Sequence, residues 1–252
     1  MAAPQGPSAL GNNARGGRRL QRPGSRPVHS SLSSRADPAT RPGPGPAFRV
    51  EDLACRRGDR LLFEGLGFAL DPGQLLLLTG PNGSGKSSLL RLLAGLGAPA
   101  AGRILWRGHA IDEDAPAHRQ RLRFLTHLDG VKPALTVLEN LAFWSALMGA
   151  PAARAESALA AFDLEQIADL PARFLSAGQR RRLALSRLML MPAALWLLDE
   201  PSTSLDSEGS ERLLAAVAGH RSQGGIAVVA THDRLALLPS QELRLMAGER
   251  AR

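Results

Sequence analysis

LLLLTGPNGSGKSSLLRLLAGL, residues 75–96, sets four leucines before a loop of glycines and small polar residues, then a second leucine-rich stretch after it. Leu75 to Thr79 is a continuous apolar run of strand length, bounded in front by the turn Asp71-Pro72-Gly73, and predicts a buried strand. From Ser87 onward the leucines fall at 89, 90, 92, 93 and 96, the spacing of a helix face packed on a sheet, with Gly95 and Gly97 at its end. The loop therefore joins a strand to a helix. Gly80, Gly83 and Gly85 admit tight positive-φ turns, so successive N–H groups can point inward and, with the helix N-terminus, form a cradle for an anion. Lys86 adds a point charge and Ser87 a hydroxyl for a metal ion. The pattern is Gly-x-x-x-x-Gly-Lys-Ser, a phosphate-binding loop, with Pro81, Asn82, Ser84 and Ser88 completing the stretch expected around the phosphates.

A phosphate loop alone leaves many chemistries open, and the residues that complete it lie far downstream. LWLLDEP, residues 195–201, is a second buried strand, ending in two carboxylates. In phosphoryl transfer an Asp at a strand end holds magnesium, and a following carboxylate polarises the attacking water. Asp199 and Glu200 fit those roles.

Between the two strands lies LSAGQRRRLALSRLMLMP, residues 175–192, which predicts a capped helix closed by Pro192. Its start, Leu175-Ser176-Ala177-Gly178-Gln179, resembles the signature of ABC-type ATPases. Ser204 to Asp206 is similar to that family's D-loop, and Val228 to Asp233, VVATHD, to its switch strand ending in His232. Four motifs in the family's order cover residues 50–242. The resemblance implies a P-loop NTPase with a RecA-like α/β core, a small antiparallel β part near 50–72 and a helical subdomain at about 110–190. It also implies ATP and Mg²⁺, and a head-to-tail homodimer in which Ser176, Ala177, Gly178 and Gln179 of one copy cover the ATP held by Lys86 of the other. Catalysis would fall to Lys86, Glu200 and His232, and metal binding to Ser87 and Asp199. Ala177 stands where the family has glycine; its N–H is kept, but a positive φ there would be costly.

Two further positions depart from the family pattern. Arg57, in LACRRGDRLLF, lies near the place of the aromatic residue that stacks on adenine, and an arginine plane can stack on a base. His127 stands where the family has the glutamine that meets magnesium and the lytic water, and a histidine brings pH sensitivity. After it, Thr136 and Glu139 have the form of a capping box, and Val137, Leu141, Trp144 and Met148 share one face of the helix that follows. In the family the segment ahead of this helix is a socket for membrane-embedded permease subunits, here Asp129, Gly130, Val131, Lys132 and Pro133. His127 with DGVK, LTVLENLAFW and LSAGQRRRLALSRL is similar to one branch, the ATP-binding subunits of the haem exporter of bacterial cytochrome c maturation. That branch works on the cytoplasmic face of the bacterial inner membrane.

Composition bounds these readings. Residues 1–49 hold eight arginines, one acid and many Pro, Gly and Ser, with hardly any periodic apolar pattern, so they are expected to be disordered. They carry seven of the eight net positive charges, which leaves residues 50–252 near neutral. The extension reads as an unselected addition in preference to a targeting peptide or a basic arm. One cysteine, Cys55, excludes an internal disulfide. No stretch approaches the roughly 18 apolar residues of a bilayer span, and no signal peptide is evident. Three alternatives stay open: a transporter ATPase for another cargo, a non-transport ABC ATPase acting on nucleic acid, and a nucleotide-binding module without catalysis. A nucleic-acid role is not expected, because no long heptad run separates Lys86 from Ser176; a module without catalysis is not expected either, because Glu200 and His232 are both present.

Overall fold

The four leucines at 75–78 point alternately to two different cores, and the architecture follows from that alternation. The structure, a computed structural model, describes residues 46–232 and 236–246. Leu75–Thr79 is β3, an inner strand of a sheet ordered β6-β7-β8-β3-β9 in which every pairing is parallel. Its other strands are β6 (Leu122–Leu125), β7 (Leu195–Asp199), β8 (Ile226–Ala230) and β9 (Gln241–Arg244). Strands covered on both faces are nearly uninterrupted apolar runs, and all five residues of both β7 and β8 are buried. Leu76, Leu78, Leu195, Leu197, Ile226 and Val228 face one core; Leu75, Trp196, Leu198, Ala227 and Val229 face the other.

The first core lies between this sheet, α1 (Lys86–Leu93) and an antiparallel sheet ordered β2-β1-β4-β5. β1 (Phe48–Arg57) pairs with β2 (Arg60–Leu70) across a tight turn and, on its other side, with β4 (Ala101–Trp106), which continues into β5 (His109–Ala110). The antiparallel part expected near 50–72 is thus half of a larger sheet. β1 also begins two residues earlier than expected: Phe48 is fully buried, against Trp106 and Phe68. The remainder of the 1–49 extension, up to residue 45, lies outside the described residues, and so do Asp233 and the last six residues.

The second core is covered by α3 (Val137–Met148), α4 (Ala153–Ala161), α5 (Ala177–Ser186) and α6 (Ser207–Ser222). Within 110–190, α2 (Ala115–Gln120) leads into β6, a strand of the parallel sheet, so the helical layer begins at α3. Thr136 and Glu139 form the expected capping box, with both reciprocal hydrogen bonds made. α5 is shorter than the 175–192 reading, giving way at Arg187 to a 3₁₀ turn. α1 likewise stops at Leu93, which leaves Leu96 half exposed.

Candidate functional site

In a parallel sheet, ligands bind beyond the carboxyl ends of the strands, where the loops gather. Here β7, β8 and β3 are neighbours in that order, with Asp199 opposite Ala230 and Ala230 opposite Leu78. The three chain segments leaving those strands therefore emerge side by side: the glycine loop after Thr79, Glu200 after Asp199, and Thr231-His232 after Ala230.

The loop uses its glycines. Gly80, Gly83 and Gly85 have φ of 139°, 80° and 106°. A Cβ on Gly80 would collide with the carbonyl of Leu245, and one on Gly85 would press on the Phe63 ring. Gly85 is the N-cap of α1 and offers no side-chain cap, and no acid stands in the first turn, so the helix amides are left for an anion. Lys86, 7 % exposed, donates from Nζ to the Gly80 carbonyl at 2.7 Å and lies 3.8 Å from Glu200 Oε1.

A cavity of about 330 Å³ is lined by Arg57, Leu62, the loop residues Pro81, Asn82, Gly83, Gly85, Lys86, Ser87 and Ser88, and by His127, Asp199 and Glu200. Asp199 is 2 % exposed and its Oδ1 has no hydrogen-bond partner among the described residues; the same is true of Ser84 Oγ in the loop. His127 Nδ1 is 3.9 Å from Asp199 Oδ2, and its ring is largely exposed. Glu200 accepts from His232 through Oε2, at 2.8 Å from the ring Nδ1 and 3.2 Å from the backbone N. His232 itself lines an adjoining hollow with Gly80, Thr231 and Glu242. Glu200 sits at φ 48°, a left-handed conformation that costs a non-glycine residue on the order of 1–3 kcal/mol and persists only where its surroundings hold it.

The signature residues are not part of this cavity within one chain. Ser176 and Ala177 are exposed, and Ser176 is the N-cap of α5 in a capping box with Gln179. Ala177 is the first residue of that helix, so the anticipated cost of a positive φ does not arise. Gly178 lies close under Ser204, where a Cβ would come to 3.0 Å from the Ser204 carbonyl. Asp206 caps α6, accepting from the Gly209 amide at 2.7 Å. Of the socket residues, Lys132 is held by both its backbone groups to the buried Asn140 side chain. Arg181 escaped the sequence reading: it is buried beneath Asp199 and Glu200, and nothing in the run Arg180-Arg181-Arg182 singles it out.

The buried carboxylate oxygen of Asp199 and the Ser87 hydroxyl on the same cavity are hard oxygen donors, the type that suits Mg²⁺ completed by phosphate oxygens and water. Among the described residues no group of three His, Cys, Asp or Glu could hold a metal unaided, so the phosphates would have to supply ligands.

Residues 63–203 match the ABC transporter family. The cytochrome c biogenesis ATP-binding export protein CcmA of Rhodospirillum rubrum is 53% identical over 190 residues, 75% of this chain and 82% of that protein. The protein of the same name from Escherichia coli O157:H7 is 43% identical, over 78% and 94%. Among solved structures, a dimeric ATP-binding cassette in a post-hydrolysis state with ADP and Pi superposes with TM-score 0.70 at 25% identity, covering 81% of this chain and 97% of its own. CbiO1 of Clostridium perfringens, part of an ABC transporter complex, gives TM-score 0.70 at 24% identity over 82% and 87%, a likeness of fold.

Proposed function

The chain belongs to the ABC transporter family, and we propose that it is the ATP-binding and ATP-hydrolysing subunit of the haem exporter complex of c-type cytochrome biogenesis. In this reading residues 50–252 form the ATP-binding domain and 1–49 an extension to it. One observation supports the ATP-hydrolysing role above the rest: a single cavity gathers the phosphate loop, Lys86, His127, Asp199 and Glu200, with His232 bonded to Glu200; the haem branch is supported by the relatives.

Gly80 to Ser88 hold the triphosphate of ATP through backbone N–H groups and the uncapped start of α1. Lys86 exchanges part of its bonding to Gly80 for phosphate oxygens, and so carries charge into the site without leaving an unpaired cation when the site is empty. Ser87 and Asp199 would hold Mg²⁺, with His127 beside Asp199; bound there, the ion neutralises phosphate charge. Glu200 takes up or orients the proton of the attacking water. His232 donates to Glu200 Oε2, which fixes the carboxylate's direction and leaves Oε1 turned toward Lys86.

Ser176, Ala177, Gly178 and Gln179 face solvent or lie at its edge, away from their own chain's cavity. That placement favours a homodimer in which each copy offers the start of α5 to the ATP of the other, with Asp206 alongside. Among the described residues no helix is long and apolar enough to cross a membrane; the likeness to ABC transporter subunits supports membrane-embedded permease subunits as partners. The loop from Asp129 to Pro133, next to exposed Leu128 and Phe143, is where they would dock, on the cytoplasmic face of the bacterial inner membrane.

A haem stain of membrane c-type cytochromes tests the reading, in cells whose only copy carries Lys86→Ala or Glu200→Gln at matched protein level. Loss of covalent haem with b-type haem retained is expected. Normal c-type cytochromes would overturn the haem assignment and leave an ABC ATPase for another cargo.

A further inference from the structure

The mechanism above makes no use of Arg181, although this α5 residue is 3 % exposed and its guanidinium donates to five acceptors drawn from two places. Nη1 reaches the Thr126 carbonyl at 3.1 Å and Asp129 Oδ1 at 2.9 Å, both on the loop that carries His127. Nε reaches the Pro201 carbonyl at 3.2 Å, and Nη2 reaches those of Asp199 at 3.2 Å and Glu200 at 2.7 Å. Three successive carbonyls at the end of β7 and two groups on the loop are thus joined through one rigid, planar group.

Charge fixes the loop end of this link. A buried guanidinium is tolerated only with its charge answered. Asp129 pairs with Arg181, and its field also supports Arg187, whose guanidinium is buried against Trp144 at 4.6 Å. Burial draws the Arg187 pKa down to about 10, with Asp129 acting against that shift and Arg181 adding to it. Moving Asp129 away would therefore take the nearby carboxylate from buried Arg181 and half-buried Arg187 together.

Strain fixes the other end. Glu200, at φ 48°, is held on both sides: its N–H donates to the Ala230 carbonyl at 2.8 Å and its own carbonyl accepts from Arg181. The carboxylate leaves from that peptide, so what grips the peptide aims the carboxylate. A lysine could match the charge but not the fork that spans both groups of acceptors.

We propose that Arg181 is a positioning residue for hydrolysis, a clamp that makes the placement of Glu200 depend on where the 126–129 loop sits. The inference rests on the reading of Glu200 as the residue that handles the water. A displacement of the loop by a docked partner would reach Glu200 through Thr126, Asp129 and the guanidinium.

The test measures steady-state and single-turnover ATP hydrolysis by the full chain, with thermal melts, for Arg181→Lys, Asp129→Asn, Glu200→Gln and the doubles with Glu200→Gln. Arg181→Lys should lower kcat by about 10- to 100-fold, the range for a misaligned catalytic group, with KM for ATP unchanged because the phosphate loop is untouched. Asp129→Asn should lower kcat in the same direction by less. Each double variant should hydrolyse at the rate of Glu200→Gln alone, since the clamp acts only through that carboxylate. If Arg181→Lys does not fold, the Asp129→Asn and Glu200→Gln cycle carries the test. Wild-type kcat in the clamp variants, losses that add to that of Glu200→Gln, or an effect confined to KM would overturn the inference. If the wild-type chain itself does not hydrolyse ATP, the reading of Glu200 falls first and the inference with it.

Discussion

Glu200→Gln separates the two things that carboxylate does. Glutamine has the same shape, and its side-chain oxygen can still accept from His232, so the pairing now made at 2.8 Å is kept. Charge and basicity are lost. Glu200 Oε1 lies 3.8 Å from Lys86 Nζ, with side-chain exposures of 18 % and 7 %. At an effective dielectric of about 20, a unit pair at that separation interacts by roughly 4 kcal/mol gross. Lys86 also donates to Gly80 at 2.7 Å, so binding phosphates need not break the whole of that attraction, and on the order of 1 kcal/mol is a reasonable share to assign. Removing it, together with the repulsion between Glu200 and a bound phosphate, should tighten ATP by about five-fold. The chemical step loses its base, a cost of about 10²- to 10⁴-fold in kcat. The two constants should therefore fall together. Steady-state ATPase with Mg²⁺ on the purified full chain, beside equilibrium titration with a fluorescent ATP analogue, measures both. A kcat close to wild type would refute the role of Glu200, and weaker ATP binding would refute the account of Lys86.

Two other predictions concern stability. His118 and His220 are buried, and desolvation holds the pKa of each below the ordinary 6.5, despite ring contacts with the carbonyls of Leu93 and Ile226 that oppose the shift. Below pH 6.5 the unfolded chain takes up protons that the folded chain refuses, so stability should be full above that pH. It should then fall on acidification toward the folded pKa by up to about 1.4 kcal/mol per unit per histidine; denaturant melts from pH 7.5 down to 5.5 check this, and a flat profile would sink it. Asn140→Ala should cost about 1–3 kcal/mol, because the Lys132 N–H loses its partner while the carbonyls of Lys132, Leu135 and Thr136 keep backbone donors. A thermal midpoint unchanged from wild type would show that Asn140 does not anchor the loop.

Which residues could be found from the sequence depends on whether their chemistry is local. The phosphate loop is one turn of chain whose glycines are needed by that turn itself, so its spelling and its geometry are the same fact. Asp199 and Glu200 were legible because a buried apolar strand that ends in two acids leaves them nowhere to go but its carboxyl edge. β4 was missed because its partner, β1, lies some fifty residues upstream, and β5, which pairs with β4, is only two residues long; a short strand with mixed polarity announces no partner.

Arg181 was illegible for a different reason. Successive side chains on a helix leave it about 100° apart, so Arg180, Arg181 and Arg182 cannot share a face. One of them must turn inward, and residue type does not say which. The acceptors that decide it are mostly backbone carbonyls, at 126 and at 199 to 201, and a carbonyl is present at every position of every sequence. Only the fold, by bringing the ends of β6 and β7 beneath α5, gives those carbonyls a common direction. Ala177 makes the same point in reverse. Its expected strain depended on a backbone angle that the Ser176 cap and the helix start make unnecessary, so a residue that looked like a defect in the motif is an ordinary first residue of a helix.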